Sequence, residues 1–151
     1  MKKVQTVGII REGSRILLGM KKRGFGEGRW NGFGGNAEAG ETIEQTMERE
    51  LLEEAGITAL ELKEMGTLTF QCCDNDVEPE VHFFEITRWK GKPVEGEEMR
   101  PQWFDIDKIP YDSMWPDDRY WLPMLLAGKK FKGSFLFDST GGIVKNTMEA
   151  I

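Results

Sequence analysis

The feature that most restricts how this chain can fold is a strongly marked amphipathic helix over residues 42–55. Thr42, with Gln45 three positions later, forms a capping-box pattern at its start, and Gly56 supplies the stop. Apolar residues recur at every fourth position inside these limits: Ile43, Met47, Leu51 and Ala55. They form one stripe, which has to be covered by a neighbouring layer of structure.

Apolar segments separated by turns predict strands on both sides of this helix. Three pairs are predicted to form hairpins, residues 4–11 with 15–20, 62–73 with 77–87 around a turn at 74–76, and 130–137 with 143–148. A further strand is predicted over 99–106, a short helix over 117–127 and a glycine-rich loop over 21–40. Strands outnumber helices, so the predicted fold is α/β, a mixed sheet flanked by two helices.

Length and charge limit the class of protein. The 151 residues fit one domain, so a single domain over residues 1–151 is expected. The chain carries 26 acidic and 20 basic residues, a net charge of −6, which argues against stable binding of nucleic acid. An acidic protein that acts on a polyanion usually needs metal ions to mediate the contact.

Neither a membrane span nor a secretory signal is expected. No apolar stretch approaches the roughly 20 residues that cross a bilayer, and Arg11 interrupts the first apolar run early. Cys72 and Cys73 are adjacent and poorly placed to pair with each other, which is typical of a reducing compartment. The sequence therefore predicts a cytoplasmic protein without a membrane partner.

The predicted helix is rich in carboxylates, which lie in it or just before it: Glu41, Glu44, Glu48, Glu50, Glu53 and Glu54. At about 100° per residue, Glu50, Glu53 and Glu54 converge on one patch of the helix surface. This patch is either a solvated acidic face or a site for hard divalent cations such as Mg²⁺ and Mn²⁺, which prefer carboxylate oxygens. The spacing alone leaves both interpretations open.

The residues around this helix resemble the Nudix box of the Nudix hydrolase superfamily, Gly-x5-Glu-x7-Arg-Glu-U-x-Glu-Glu-x-Gly-U, where U is aliphatic. The match begins at Gly35, continues at Glu41 and ends with residues 49–57. Nine restricted positions within 23 residues make a chance match very improbable. The resemblance implies an α/β/α sandwich and hydrolysis of a nucleoside diphosphate linked to another group.

The same resemblance implies the catalytic site. Family glutamates at the positions of Glu50, Glu53 and Glu54 coordinate divalent ions, and one of them can accept a proton from the attacking water. The main chain at Gly34 and Gly35 is a metal or phosphate contact, and Arg49 orients the carboxylates. Mg²⁺, with Mn²⁺ as a substitute, is the implied cofactor, because bound cations reverse the local charge and polarise phosphoryl oxygens.

Segments outside the box resemble one group of this superfamily, the MutT-type oxidised purine nucleoside triphosphatases. The matching segments are residues 19–26, 28–35, 98–101, 103–104 and 114–118. The implied substrate-binding residues are Thr6, Lys21, Phe25, Asn31, Phe33, Gly34, Gly35, Asn36, Phe70, Trp115, Pro116, Asp117 and Asp118, and Glu98 is an implied metal ligand. Two residues depart from the close relatives, Asn36 in place of a lysine and Cys72 in place of a phenylalanine.

The residue types at these positions suit recognition of a purine. Trp115 offers a flat face for stacking, worth roughly 1–3 kcal/mol, and the Asn31 amide carries both a donor and an acceptor. Asp117 and Asp118 should repel each other, which raises the pKa of one of them. A neutral carboxyl group can then donate while its partner accepts, which suits O6 with N1 or N2 of an oxidised guanine. Exchange of the proton between them admits oxidised adenine.

Structural interpretations exist for several of these residues. Asp117 could instead cap the helix that follows it, and Trp115 could belong to the core. His82, on an alternating strand, is expected to be structural, and Tyr120 and Trp121 are expected in the core.

The expected function is Mg²⁺-dependent cleavage of oxidised purine nucleoside triphosphates to monophosphate and pyrophosphate, by a monomer that acts on a small nucleotide. In this class water attacks the β-phosphorus. One alternative is a Nudix pyrophosphatase for ADP-ribose or a dinucleoside polyphosphate, against which the segment 115–118 argues. Another is a non-catalytic nucleotide-binding module, but no box glutamate is missing.

Overall fold

The computed structural model describes residues 2–72 and 76–151. Within them, the strands are β1 (Lys2–Glu12), β2 (Arg15–Lys21), β3 (Trp30–Asn31), β4 (Thr58–Cys72), β5 (Glu78–Lys90), β6 (Met99–Asp105), β7 (Phe131–Phe137) and β8 (Ile143–Ala150). The helices are α1 (Ile43–Ala55), α2 (Asp118–Leu126) and a single 3₁₀ turn at Tyr111–Ser113. None of these helices is long and apolar enough to cross a membrane.

The strands form one mixed sheet in the order β3-β2-β1-β5-β4-β7-β8, with β6 paired to β2. The three predicted hairpins are confirmed as the antiparallel pairs β1–β2, β4–β5 and β7–β8. Residues 74 and 75 of the turn predicted between β4 and β5, and Cys73 at the end of the predicted strand, lie outside the described residues. Parallel pairing of β1 with β5 and of β4 with β7 joins the hairpins into a single sheet.

Helix α1 begins and ends where the capping pattern predicts. The Gln45 N–H donates to the Thr42 hydroxyl at 3.1 Å, and the Thr42 N–H donates to the Gln45 side chain at 2.9 Å. Gly56 adopts the left-handed conformation (φ 70°), and its N–H donates to Leu52 O. Both ends are therefore fixed locally, which determines the direction in which the acidic face of α1 points.

Each face of the sheet carries its own core, because successive side chains of a strand point to opposite faces. The α1 face buries Ile10, Leu17, Phe33, Met47, Leu51, Ala55, Ile57, Phe84, Ile86 and Met99. The α2 face buries a set that includes Ile9, Ile16, Leu18, Phe83, Trp121, Leu122, Leu125, Phe131 and Phe135. The expected α/β/α arrangement, with a mixed sheet between two helices, is confirmed.

Candidate active site

Three adjoining cavities of about 620, 760 and 660 Å³ share lining residues and form one groove. The first and second share Lys21, Gly34, Gly35, Asn36, Glu54 and Glu98. The second and third share Gln5, Val7, Phe25, Arg29, Asn31 and Trp115. Glu50 and Glu53 line the first cavity, at the acidic end of the groove, whereas Asp117 and Asp118 line the third, at its opposite end.

At the acidic end, the glycine-rich loop lies directly against α1. The Gly34 N–H donates to Glu54 Oε1 at 2.9 Å. A Cβ on Gly35 would lie only 2.5–2.8 Å from the carboxylate atoms of Glu50, and one on Gly34 would lie 1.8 Å from the Thr6 carbonyl oxygen. A Cβ at position 34 would collide with the main chain of β1, whereas one at position 35 would displace the Glu50 carboxylate, so glycine lets the loop approach both.

Arg49 holds the carboxylates of this end in place. Its Nε donates to Glu41 at 2.7 Å, and its Nη1 donates to Glu50 at 2.9 Å and to Glu53 at 3.4 Å. Its Nη2 donates to the Asn36 carbonyl oxygen at 3.0 Å, which joins α1 to the loop. Hydrogen bonding to Arg49 lowers the pKa of Glu41 to about 2. The arrangement agrees with the orienting role expected for Arg49.

Two carboxyl groups at this end are poorly solvated. Burial raises the pKa of Glu54 to about 7, although the Gly34 N–H opposes this shift. Burial also raises the pKa of Glu50, with Arg49 opposing it. The Glu53 side chain is 59% exposed and extends towards solvent. The charged forms of Glu50 and Glu54 are therefore only partly compensated, by Arg49 and by the Gly34 N–H, and a nearby cation would stabilise both further.

At the other end of the groove, two side chains contact the Trp115 ring. Phe25 stacks on it with ring centroids 5.1 Å apart, although 88% of Phe25 is exposed. The Arg29 guanidinium lies 4.2 Å from the Trp115 ring centroid, and its Nη1 donates to the Met114 carbonyl oxygen at 3.1 Å. Trp115 is therefore held at the wall of the groove and is only half-buried, which excludes the interpretation as a core residue.

Asp117 and Asp118 are both buried beside Trp115, with 7% and 3% of their surfaces exposed. The Trp121 indole N–H donates to Asp117 Oδ2 at 3.1 Å and to Asp118 Oδ1 at 3.0 Å. Asp117 does occupy the N-cap position of α2, as the structural interpretation expected, but its side chain makes no capping hydrogen bond there. The carboxyl group is turned inward to Trp121 instead.

Burial raises the pKa of both aspartates, to about 6 for Asp117 and well above the ordinary range for Asp118. The negative charge of Asp117 raises the pKa of Asp118 further. Asp118 Oδ2 is buried and has no hydrogen-bond partner among the described residues. The pair therefore holds a proton close to neutral pH, with Asp118 as the better protonated partner, and can present both a donor and an acceptor.

The residues between the two ends are polar. The Asn31 side-chain oxygen accepts from the Gly32 N–H at 2.9 Å, which leaves its NH₂ group for a ligand. The Asn36 side-chain oxygen accepts from the Gln5 amide at 2.8 Å. Thr6 is buried, and its hydroxyl accepts from the Gly35 N–H at 3.4 Å.

The NUDIX domain model matches residues 2–125, well over half of the chain. The chain belongs to the Nudix family. It is 47% identical to the oxidized purine nucleoside triphosphate hydrolase of Danio rerio and 46% identical to that of Mus musculus. Each comparison spans 149 residues, 99% of this chain and 96% of the relative. A solved MutT structure from Bacillus halodurans has the same fold, with a TM-score of 0.87, 24% identity and 97% of each chain covered.

Nudix hydrolases generally need a divalent metal ion, and the acidic end of the groove fits one. In the ranges 2–72 and 76–151, no three His, Cys, Asp or Glu side chains are already gathered into one cluster. Glu98 instead pairs with Lys21 at 3.1 Å and with Arg23 at 2.9 Å. Even so, Glu50 and Glu54 offer hard carboxylate oxygens beside the exposed main chain of Gly34 and Gly35, and this set of oxygen ligands suits a hard cation.

Two residues implied by the Nudix resemblance do not line the described groove. The Phe33 side chain is fully buried in the core on the α1 face, so the expectation that it contacts substrate is wrong for the side chain. Burial of this large apolar ring beside Gly19 and Met99 explains its position. Pro116 is half-buried between Trp115 and Asp117 and is not among the lining residues.

The wall behind the aspartates contains Phe70, which stacks on Phe135 and Phe137 with centroids 5.8 and 5.9 Å away. Cys72 also lines this wall. His82 is not a lining residue of the groove. It contacts Glu64 of the neighbouring strand β4 at 2.7 Å and Glu80 of its own strand β5 at 2.9 Å, which agrees with a structural role.

Sequence reasoning missed two residues of this Nudix site. Arg29 supports Trp115, and no local pattern indicates that contact. Trp121 was expected only in the core, where its ring does lie, but its N–H reaches both aspartates. The same expectation is wrong for Tyr120, which is 43% exposed. Its spacing of three and four residues from Asp118 and Asp117 on a predicted helix is the signal that indicates this contact.

Proposed function

We propose that this Nudix protein hydrolyses oxidised purine nucleoside triphosphates to nucleoside monophosphate and pyrophosphate. The observation that carries the proposal is a single groove with carboxylates at one end and the buried pair Asp117–Asp118 beside Trp115 at the other. The names of the Danio rerio and Mus musculus relatives, both oxidized purine nucleoside triphosphate hydrolases, support the same substrate class.

Mg²⁺, with Mn²⁺ as a substitute, is the proposed cofactor. Its proposed ligands are the carboxylates of Glu50, Glu53, Glu54 and Glu98 and the main chain of Gly34 and Gly35. When bound, Mg²⁺ polarises phosphoryl oxygens and lowers the pKa of water. Arg49 keeps Glu50 and Glu53 in place, and Lys21, which lines the same cavity, is positioned to neutralise phosphate charge. Lys21 must leave Glu98 for this contact.

The proposed reaction is in-line attack of water on the β-phosphorus. A bond forms between the water oxygen and Pβ, and the bond from Pβ to the bridging oxygen breaks. The bridging oxygen leaves with the nucleoside monophosphate, and the water oxygen remains in pyrophosphate. One of the three glutamates accepts the water proton. Glu54 is well placed for this, because it lines the acidic end of the groove and the Gly34 N–H holds one of its carboxylate oxygens in position.

The base is proposed to stack on Trp115, with Asn31, Asp117 and Asp118 along its polar edge. Phe25, Thr6 and Phe70 are the proposed walls around it. A guanine edge offers an acceptor at O6 beside a donor at N1. A pair of carboxyl groups that shares one proton matches this pattern, because one group donates while the other accepts.

The test is a nucleotide panel with the full chain and Mg²⁺, in which products are separated by anion-exchange chromatography. The panel contains 8-oxo-dGTP, 2-hydroxy-dATP, dGTP, dATP, ADP-ribose and a dinucleoside polyphosphate. We expect the highest kcat/KM for the oxidised purines, with monophosphate and pyrophosphate as products. In ¹⁸O-water, the label should appear in pyrophosphate. Preference for ADP-ribose or the dinucleoside polyphosphate, or release of orthophosphate, would contradict the proposal.

We further propose that residues 1–151 act as one domain and as a monomer in the cytoplasm, without stable binding of nucleic acid. Residues of one chain line the whole groove, so a second copy is not required to complete it. Light scattering coupled to size exclusion tests the monomer, and cell fractionation tests the location.

A further inference from the structure

The middle of the groove is the second cavity, of about 760 Å³. It shares Asn36 and Glu54 with the cavity at the acidic end, and it shares Gln5, Asn31 and Trp115 with the cavity at the opposite end. In a nucleoside triphosphate, the sugar joins the base to the phosphates. With the phosphates at the acidic end and the base on Trp115, the sugar therefore has to lie in this second cavity.

Two amide side chains form a bridge on the wall of the second cavity. Gln5 Nε2 donates a hydrogen bond to Asn36 Oδ1 at 2.8 Å. Gln5 also lines the third cavity and Asn36 also lines the first, so the bridge runs along the wall from one end of the groove towards the other. Within residues 2–72 and 76–151, Gln5 Oε1 accepts no hydrogen bond and Asn36 Nδ2 donates none.

The main chain holds both amides in place. Gln5 and Asn36 face each other across an isolated antiparallel bridge between β1 and the glycine-rich loop. Next to it, the Ala37 N–H donates to the Val4 carbonyl oxygen at 2.9 Å, and Arg49 Nη2 donates to the Asn36 carbonyl oxygen at 3.0 Å. Because the two side chains are already ordered by each other, a ligand that binds them has less conformational entropy to remove.

The free groups of this pair suit hydroxyl groups and not phosphate. Gln5 Oε1 can only accept and Asn36 Nδ2 can only donate. The oxygens of an ionised phosphate only accept, so Gln5 Oε1 repels them, whereas a hydroxyl group both donates and accepts. The lysine that close relatives carry at position 36 could only donate, so the acceptor that engages Gln5 depends on the asparagine of this chain.

The number of free groups matches a ribose. No second hydrogen bond joins Gln5 Oε1 to Asn36 Nδ2, so each of these atoms stays open to a ligand. A ribose carries neighbouring hydroxyl groups at C2′ and C3′, one for each free atom. A 2′-deoxyribose carries only the 3′-hydroxyl, which leaves one amide group without a partner when water is displaced.

We propose that Gln5 and Asn36 bind the sugar and determine the preference between ribose and deoxyribose. Gln5 Oε1 accepts a hydrogen bond from one sugar hydroxyl, and Asn36 Nδ2 donates to the other. The proposal deepens the proposed function and rests on it, because the place of the sugar follows from the places of the phosphates and the base. Oxidised purine ribonucleoside triphosphates are then better substrates than their deoxy counterparts.

The test compares the same base on different sugars. Gln5→Met and Asn36→Leu keep the approximate size of each side chain and remove its polar groups, and Gln102→Leu, at an exposed amide on β6, is the matched control. Steady-state kinetics with Mg²⁺ gives kcat/KM for 8-oxo-GTP and for its 2′-deoxy and 3′-deoxy forms. Calorimetry without Mg²⁺ measures binding of the matching monophosphates and of GMP and dGMP.

We expect wild type to give a higher kcat/KM with 8-oxo-GTP than with either deoxy form. Gln5→Met and Asn36→Leu should each reduce the ratio of ribose to deoxyribose kcat/KM roughly fivefold, the order expected for loss of one uncharged hydrogen bond. The ratio of dissociation constants should change in the same way. The double variant should lose less than the product of the two effects, because each amide orders the other. Gln102→Leu should keep the wild-type ratio.

Two results would overturn the proposal. An unchanged ratio in Gln5→Met and Asn36→Leu would show that the amides do not contact the sugar. An equal decrease for ribose and deoxyribose would show that they only support the wall of the groove. If wild type hydrolyses no oxidised purine triphosphate, the proposed function fails separately, and calorimetry with the paired monophosphates still decides whether the amides select ribose.

Discussion

The main-chain N–H of Gly34 donates a hydrogen bond to Oε1 of Glu54 at 2.9 Å, which joins the glycine-rich loop to the acidic helix across 20 residues of sequence. The contact leaves the second carboxylate oxygen for another partner. Glu54 is also poorly solvated, because its carboxylate is largely buried. We therefore expect a substitution of Glu54 to have a large effect on activity.

Glu54→Gln should leave the fold intact and remove nearly all turnover. The amide oxygen of glutamine can still accept from Gly34, so far-UV circular dichroism should be unchanged. The variant loses the charge and the proton acceptor, and we expect kcat with Mg²⁺ to decrease by at least about 10². Glu48→Gln is the matched control, since it removes an exposed charge from the same helix. Near-normal turnover in Glu54→Gln would exclude Glu54 from the site.

Gly35→Ala should mainly reduce activity and Mn²⁺ affinity, whereas Gly34→Ala should also reduce thermal stability. The added Cβ at position 35 meets the far end of the Glu50 side chain, which can move, so stability should decrease little while activity and Mn²⁺ affinity decrease. The Cβ at position 34 meets the main chain of Thr6, which cannot move, so thermal stability should decrease as well. Calorimetry and Mn²⁺ titration separate the two effects, with Gly96→Ala, whose Cβ would lie in open space, as the control for stability. Equal loss of stability in both variants would contradict this account.

Features that depend on neighbouring residues in the chain can be predicted from this sequence, whereas contacts between distant segments cannot. Thr42 and Gly56 mark the ends of α1 correctly, because capping depends on neighbours in the chain. The parallel pairs β1–β5 and β4–β7 join segments far apart in sequence, and no local pattern indicates them.

The same contrast between local interactions and contacts of distant segments applies to the candidate site. Convergence of Glu50 and Glu54 follows from helix geometry, but their contact with Gly34 and Gly35 depends on how the loop packs against β1. The burial of Asp117 likewise depends on the Trp121 ring, whose position is set by the sheet.

The free energy of unfolding of Asp117→Asn should increase relative to that of wild type as the pH rises from about 4 to 7. In the folded protein the pKa of Asp117 is about 6, above its ordinary value of 3.8, so the folded state holds its proton more tightly than the unfolded chain. Wild-type stability is therefore lost as the pH rises through this interval, by up to about 3 kcal/mol from this group. Asparagine has no proton to lose. Urea unfolding at several pH values measures the difference in free energy of unfolding, and Asp107→Asn, at an exposed position, is the control. Parallel curves of unfolding free energy against pH for Asp117→Asn and wild type would refute the prediction.

Asp118→Ala should change which purine is accepted more than it changes phosphate chemistry. Its carboxyl group lies at the opposite end of the groove from Glu50 and Glu53, so these proposed hydrolytic residues should stay in place. We expect the kcat/KM ratio of 8-oxo-dGTP to 2-hydroxy-dATP to change at least about tenfold, because the two bases present different hydrogen-bonding groups at C6 to the carboxyl pair. Asp107→Ala again serves as the control. A uniform decrease for both nucleotides would show that Asp118 does not recognise the base.

Cys72→Phe should narrow the range of purines without changing the Mg²⁺ requirement. Cys72 lines the wall of the third cavity near Phe70 and Phe137, and its thiol lies 3.7 Å from the Asp138 carbonyl oxygen. A phenyl ring at this position occupies part of the space beside the base, and the loss of room excludes bulky bases by shape. Wild type should therefore accept oxidised adenine and O6-alkylated guanine nucleotides, and Cys72→Phe should reject the larger of them. Cys72→Ala, which removes the thiol without adding volume, should keep the wild-type ranking. An identical ranking in wild type and Cys72→Phe would show that this position does not shape the site.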